Sequence, residues 1–221
     1  MRVLAKTKSV WLIVDDREIR AAPGEMILWA ALDNDIYIPN LCAIRENSEP
    51  FASCRLCFVE VEGTDAPVIA CATPVTEGMV VSTTGARART LAWTALELLL
   101  ASHSVDCANC LKSGSCELQN VAKHLGVKLT TKRFRKILRE LPVDDSNPVF
   151  IYDPDKCVLC GRCIWVCGEK LGKGSIGFAY RGFRKMVTTF GDEPMGRGAC
   201  LDCSECVVVC PVGALVLRKM T

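Results

Sequence analysis

Four groups of closely spaced cysteines constrain this chain more than anything else in it. In order they are Cys42-x11-Cys54-x2-Cys57-x13-Cys71, Cys107-x2-Cys110-x5-Cys116, Cys157-x2-Cys160-x2-Cys163-x3-Cys167 and Cys200-x2-Cys203-x2-Cys206-x3-Cys210-Pro211. Thiolates at such intervals wrap a loop around a metal–sulfur core, because each iron of that core takes a soft anionic ligand. Four clusters need sixteen ligands. The chain has 15 cysteines, and His103 stands four residues before Cys107. Iron–sulfur clusters are therefore the expected content, with structural zinc the competing reading for the Cys42 group and for the last eight cysteines.

At 221 residues the chain could form one large domain or two to three small ones, and metal-clipped modules fit best because each cluster replaces part of a core. No stretch approaches the roughly 18 apolar residues needed to span a bilayer. The start, Met1-Arg2-Val3-Leu4-Ala5-Lys6, has no signal-peptide hydrophobic segment. A cytoplasmic protein without membrane insertion is expected, and in that compartment dense cysteines read as metal ligands rather than disulfides. The formal net charge of +2 counts thiols as neutral. With four clusters bound it falls to roughly −5, which argues against nucleic acid as a partner.

Local patterns place the sites. Val10 to Val14 reads as a strand, Asp15-Asp16 as a turn and Arg17 to Ala21 as the return strand. Pro23-Gly24-Glu25 is expected to open a helix running to about Asp33. Phe58 to Glu62 alternates like a half-buried strand. Together these predict a small β-grasp sheet with Cys42, Cys54 and Cys57 on loops beside it. Residues 87–130 read as helical, and Leu91 to Leu100 is apolar nearly all round, so burial on every side is expected. Lys132 to Arg139 reads as a basic connector, either solvated or docked on an acidic partner. Gly177 to Phe183 suggests a hairpin turning at Arg181-Gly182, inside a 32-residue insertion between Cys167 and Cys200, and Ala214 to Leu217 a final strand.

In the last eight cysteines, each Cys-x2-Cys-x2-Cys run supplies three ligands to one cube and its fourth cysteine serves the other. Cys157, Cys160, Cys163 and Cys210 are thus assigned to one 4Fe–4S centre, and Cys167, Cys200, Cys203 and Cys206 to a second. Pro211 fits that pattern, whereas Gly168 after Cys167 departs from it. Cys42, Cys54, Cys57 and Cys71 resemble plant-type 2Fe–2S ligation stretched between its first two cysteines. His103 is assigned with Cys107, Cys110 and Cys116 to a third 4Fe–4S centre, since those three cysteines have no spare partner; His124 is read as an ordinary surface or hydrogen-bonded histidine. Gly172-Lys173-Gly174-Ser175-Ile176-Gly177 matches the dinucleotide glycine pattern but follows a helix rather than a strand, so it is read as a loop.

Three segments carry a family resemblance: Ser53-Cys54-Arg55-Leu56-Cys57-Phe58-Val59-Glu60-Val61-Glu62-Gly63, His103 through Cys116-Glu117-Leu118-Gln119, and Asp155-Lys156-Cys157-Val158-Leu159-Cys160-Gly161-Arg162-Cys163. In this order they resemble the small iron–sulfur subunit of the diaphorase module in NAD-reducing nickel–iron hydrogenases. They are equally similar to the N-terminal third of the large iron–sulfur subunit of respiratory complex I. Iron-only hydrogenases and some NAD-linked formate dehydrogenases begin the same way.

The resulting expectation is an α+β chain with three modules. Residues 1–86 are a 2Fe–2S ferredoxin-like β-grasp domain, 87–145 a small helical His/Cys3-ligated 4Fe–4S domain with a linker, and 146–221 a two-cluster 4Fe–4S ferredoxin domain. Cofactors are one 2Fe–2S and three 4Fe–4S clusters. The resemblance implies a flavin- and NAD(P)-binding iron–sulfur subunit as one partner and a hydrogenase- or formate-dehydrogenase-type catalytic subunit as the other. The chain itself is expected to be a non-catalytic electron relay within that multi-subunit oxidoreductase. Eleven residues follow Cys210, which suggests a free-standing subunit; the alternatives are a redox sensor or the N-terminal fragment of a larger hydrogenase or dehydrogenase.

Overall fold

A computed structural model describes residues 9–130, 133–197, 200 and 203–218. The first six residues, where a leader was sought, lie outside them, as does Lys132 of the connector. The chain divides into two compact units, Met1–Ala95 and Leu96–Thr221.

The first unit is a mixed five-stranded sheet with a short helix. Strands β1 (Val10–Val14) and β2 (Arg17–Ala21) pair antiparallel in the expected register, turning at Asp15 and Asp16, both with positive φ. Asp15 secures the turn by accepting from the Thr83 N–H at 2.8 Å and from the Thr83 hydroxyl. Helix α1 (Ile27–Leu32) follows, then β3 (Phe58–Val61), β4 (Val68–Ile69) and β5 (Met79–Ser82). The order across the sheet is β2-β1-β5-β3-β4, with β1 and β5 parallel and the other pairs antiparallel. Leu12 and Val14 of β1, Ile19 of β2, Val59 and Val81 pack with Ile27, Leu28 and Ala31 of α1 into one core, which also contains Cys57 and Cys71.

Helix α1 begins later than the Pro23-Gly24-Glu25 signal predicts. Gly24 takes a positive φ, and the Glu25 carboxylate folds back to accept from the Ala22 N–H at 3.1 Å. The Ile27 N–H donates to Thr73 O and the Val75 N–H to Glu25 O. The segment before α1 is thus a turn that lends its backbone to residues 73–75.

Helix α2 (Ala86–Ser102) contains the unit boundary. At its start the Glu60 carboxylate, reaching from β3, accepts from the backbone N–H groups of Arg87 at 2.9 Å and Ala88 at 3.2 Å, which satisfies two orphan donors. A Cβ on Gly85 would sit 2.3 Å from that carboxylate, so a larger residue there would displace the cap. The expectation of all-round burial fails: Ala88, Ala92, Leu96 and Leu100 are buried, but Trp93 and Leu98 are about half exposed. Within this chain α2 buries one stripe at a four-residue repeat, as a helix with neighbours on one side does.

The second unit holds short elements joined by ligand loops. They are α3 (Glu117–Leu125), β6 (Phe150–Tyr152), α4 (Arg162–Trp165), β7 (Ile176–Ala179), β8 (Met186–Thr189), α5 (Glu205–Val209) and β9 (Leu215–Leu217). β6 pairs antiparallel with β9, and α4 packs against α5. β7 and β8 form the expected hairpin, with Tyr180 and Gly182 at positive φ where the chain turns. Residues 103–116 carry no helix or strand, so the helical reading of 87–130 holds only on either side of them. Arg133 pairs with Glu97 at 3.2 Å, Lys136 Nζ donates to Leu100 O and His103 O, and the Arg139 side chain is only 8% exposed. The described part of the connector is largely exposed, but three of its cations, Arg133, Lys136 and Arg139, bind this chain's own carbonyls and carboxylates, while Arg135 faces solvent.

Candidate cluster-binding sites

Cys42, Cys54, Cys57 and Cys71 are all buried beside the five-stranded sheet, on segments pinned by the equally buried Ile38, Leu41 and Leu56. Cys42 and Cys54 Sγ lie 3.4 Å apart. The hydrogen bond to Cys54, opposed by burial and helped by the N–H groups of Cys54 and Ser53, pushes Cys42 down to about 5, while Cys54 is pushed up by the same bond and by burial. Cys57 and Cys71 repeat the arrangement, with Cys71 lowered by the Cys57 thiol and Cys57 raised. Ala52 and Arg55 adopt positive φ without being glycine, which bends the loop so that its N–H groups face sulfur. Four sulfurs in two close pairs, half already favouring thiolate, suit a group that demands thiolate ligands.

His103, Cys107, Cys110 and Cys116 are brought together around one pocket also lined by Leu118, Lys156 and Gly213. His103 is buried, its Nδ1 without a hydrogen-bond partner. Burial lowers its pKa to about 4, against a backbone hydrogen bond at Lys156, so the imidazole is neutral, the form that ligates metals. Cys116 precedes α3, whose positive end favours a thiolate, although burial pushes the thiol itself up. His124 lies exposed in the last turn of α3, as expected. A Cβ on Gly213 would come within 2.4 Å of Cys110 Sγ, so any larger residue there would push that sulfur aside.

Around the final eight cysteines the structure brings together residues far apart in sequence. Cys167, Cys200, Cys203 and Cys206 line one pocket with Phe150, Ile176 and Met195. Cys157, Cys160 and Cys163 each feel the charge of Cys210, and burial pushes Cys157 to about 11, Cys160 to about 12 and Cys163 higher still. The Cys157-to-Cys163 loop turns through positive φ at Leu159 and Gly161, and the Leu159 N–H donates to Cys157 Sγ at 3.4 Å. Through Cys167 the helix does not end but widens into a π turn over Val166–Lys170, which a proline at position 168 would interrupt. The glycine motif then wraps that cysteine: Lys173 and Gly174 donate to Cys167 O and Ser175 N–H to Cys167 Sγ at 3.3 Å, with Gly172 and Gly174 at positive φ. It precedes strand β7 and serves a sulfur rather than a phosphate.

The residues that hold these loops escaped the sequence reading. Asn147, fully buried, donates through Nδ2 to Met195 O and Cys200 O and accepts through Oδ1 from Val149 and Phe150. Every polar atom of its side chain is used on backbone, and no motif announces that.

The donor sets fit polynuclear iron–sulfur groups. A zinc ion draws four donors to about 2.3 Å of one point; among the described residues no three His, Cys, Asp or Glu side chains converge so closely. Sulfurs and one neutral imidazole ranged around voids suit a group that offers a separate metal to each ligand.

Parts of the chain match known iron–sulfur domains. Residues 7–86 match the 2Fe–2S iron–sulfur cluster binding domain family, 94–130 the NADH-ubiquinone oxidoreductase-G iron–sulfur binding region and 149–171 a 4Fe–4S binding domain. The chain superposes on a chain of the NAD+-reducing [NiFe]-hydrogenase crystallised in the H2-reduced state with a TM-score of 0.84 and 31% identity, covering 96% of this chain and 88% of that one. It belongs to that iron–sulfur protein family. Similar proteins include the NADP-reducing hydrogenase subunit HndD of Solidesulfovibrio fructosivorans, 38% identical over 93% of this chain and 35% of its own length. Another relative is an NADH-quinone oxidoreductase component of Rhizobium meliloti, 36% identical over 92% of this chain and 23% of its own. The chain thus spans about a quarter to a third of the curated relatives' length. No helix among the described residues is long and apolar enough to cross a membrane.

Proposed function

We propose that the chain is a non-catalytic electron relay with four clusters. Cys42, Cys54, Cys57 and Cys71 hold a 2Fe–2S centre. Three 4Fe–4S centres are held by His103 with Cys107, Cys110 and Cys116, by Cys157, Cys160, Cys163 and Cys210, and by Cys167, Cys200, Cys203 and Cys206. When bound, such groups accept and release single electrons. The chain's own residues keep the ligands in place, exclude water from them and aim N–H groups at sulfur, which sets how readily an electron is taken up. The observation that carries this reading is the crossed grouping of Cys167 with Cys200, Cys203 and Cys206 around one cavity. Crossed ligation is the arrangement of two-cluster ferredoxins.

The modules are read as 1–86 (β-grasp), 87–145 and 146–221, the first supported by the parallel β1–β5 pair at the sheet centre. Family membership supports a cytoplasmic complex in which a flavin- and NAD(P)-binding iron–sulfur subunit lies on one side. A hydrogenase- or formate-dehydrogenase-type catalytic subunit lies on the other. Anaerobically prepared protein should contain about 14 irons and as many acid-labile sulfides per chain, and alone it should not oxidise NADH. Stoichiometric zinc with little sulfide, or rapid NADH oxidation by the isolated chain, would overturn the proposal.

A further inference from the structure

Arg139 lies outside every cysteine group, yet its side chain is 8% exposed, and among the described residues its hydrogen bonds run to backbone. Nη1 donates to Lys185 O at 2.9 Å, at the start of β8. Nη2 donates to Pro154 O and, at 3.3 Å, to Cys157 O. The fork therefore ties the connector, the Cys157 loop and the β7–β8 hairpin to one cation. The carboxylate paired with it is Asp155, with Arg139 Nε and Asp155 Oδ1 3.8 Å apart, both shut from solvent and neither hydrogen-bonded. A planar guanidinium suits such a multi-carbonyl grip, which an ammonium cannot reproduce. Out of water, its charge acts on its surroundings far more strongly than a surface cation would.

We infer that Arg139 and Asp155 are positioning residues that set the reduction potential of the centre held by Cys157, Cys160, Cys163 and Cys210, with opposite signs. The inference rests on the ligand assignment above. Taking up an electron adds negative charge beside Cys157; the Arg139 cation favours the reduced state and the Asp155 carboxylate disfavours it. Neither residue binds the cluster, and neither lines the His103 cavity.

The test is an EPR-monitored redox titration of the full, anaerobically purified chain. Cys157→Ser identifies the signal by removing or altering it. Arg139→Met should lower that signal's midpoint by about tenfold in the reduction equilibrium, ~59 mV for one electron. Asp155→Asn should raise it by a similar amount. Arg139→Lys keeps the charge and should restore most of the midpoint despite losing the fork. A purely structural clamp predicts something else: loss of signal in all three variants, or shifts of one sign, and either result overturns the inference. If Cys157→Ser leaves every signal and the iron content unchanged, the ligand assignment fails and takes this inference with it. Normal iron with an unmoved midpoint in both Arg139→Met and Asp155→Asn defeats the inference alone.

Discussion

The Cys42 site and the His103 site solve the same problem differently. At the first, Cys57 and Cys71 belong to the hydrophobic core of a five-stranded sheet, and all four sulfurs are almost wholly buried. At the second, the ligands lie on residues 103–116, a stretch without helix or strand, with Cys107 and Cys110 partly exposed around a void. The sheet can assemble its ligands by burying Leu12, Val59 and their neighbours. The loop has nothing comparable, and must draw its order from the group it binds and from borrowed hydrogen bonds such as Ser104 N–H to Asp155 O and Lys136 to His103 O. On the proposed ligation, one site is folded for its cluster and the other largely by it.

Removing metal tests that contrast most severely. In small metal-clipped modules, ligation and folding are coupled by on the order of 10 kcal/mol. Chelation under reducing conditions should therefore strip protection from backbone amides of residues 103–116 and of the 157–167 loop, measured by hydrogen exchange. Amides of β1, β3 and β5 should keep most of theirs. Equal loss in both units would erase the distinction.

Single ligands come next. Cys210→Ser should disturb the centre of Cys157, Cys160 and Cys163, about 50 residues away in sequence, and spare the one next to it, while Cys167→Ser should do the reverse. Serine is a harder ligand, so a changed EPR signal counts as much as a lost one. Damage confined to each cysteine's sequence neighbours would break the crossed assignment.

Leu12→Ala attacks the other side of the comparison. Leu12 is fully buried in the sheet core, and such truncations cost about 2–5 kcal/mol. Chemical denaturation followed by the 2Fe–2S absorption should shift by that amount while the 4Fe–4S signals persist. Gly213→Ala acts in the second unit, where its Cβ would meet Cys110 Sγ; overpacking of this kind costs about 1–3 kcal/mol. The EPR signal that His103→Ala removes should broaden or shift in Gly213→Ala, with the other signals unchanged.

What the sequence made legible follows the same division. Ligand spacing is local, so the cysteine groups could be read directly; the strand–turn–strand pattern exposed β1 and β2, and alternation exposed β3. Helix α1 begins later than its signal predicts because the Glu25 carboxylate turns back to Ala22 and because the backbone around it pairs with residues 73–75, which lie far along the chain. The apolar run of Leu91 to Leu100 said nothing about how many sides have neighbours. The grips of Asn147, Lys136 and Arg139 were invisible for a deeper reason. Each ends on backbone carbonyls, which every residue carries, so the partner leaves no trace in the sequence.

Glu60 shows the smallest such effect and allows the cleanest measurement. Its carboxylate reaches from β3 to the first N–H groups of α2, a long-range version of helix capping, in the space that Gly85 leaves open. Loss of a cap costs about 1 kcal/mol. Glu60→Ala should therefore destabilise the first unit by that amount, read as a lowered midpoint in denaturant followed by the 2Fe–2S absorption. Glu60→Gln keeps an acceptor oxygen and loses the charge that the positive end of α2 favours, so it should fall between the two. Because the cap belongs to the sheet-based unit, neither change should alter the His103-dependent EPR signal. A loss of that signal in Glu60→Ala would mean that order in the 103–116 loop depends on the start of α2, and the two sites could no longer be regarded as independently built.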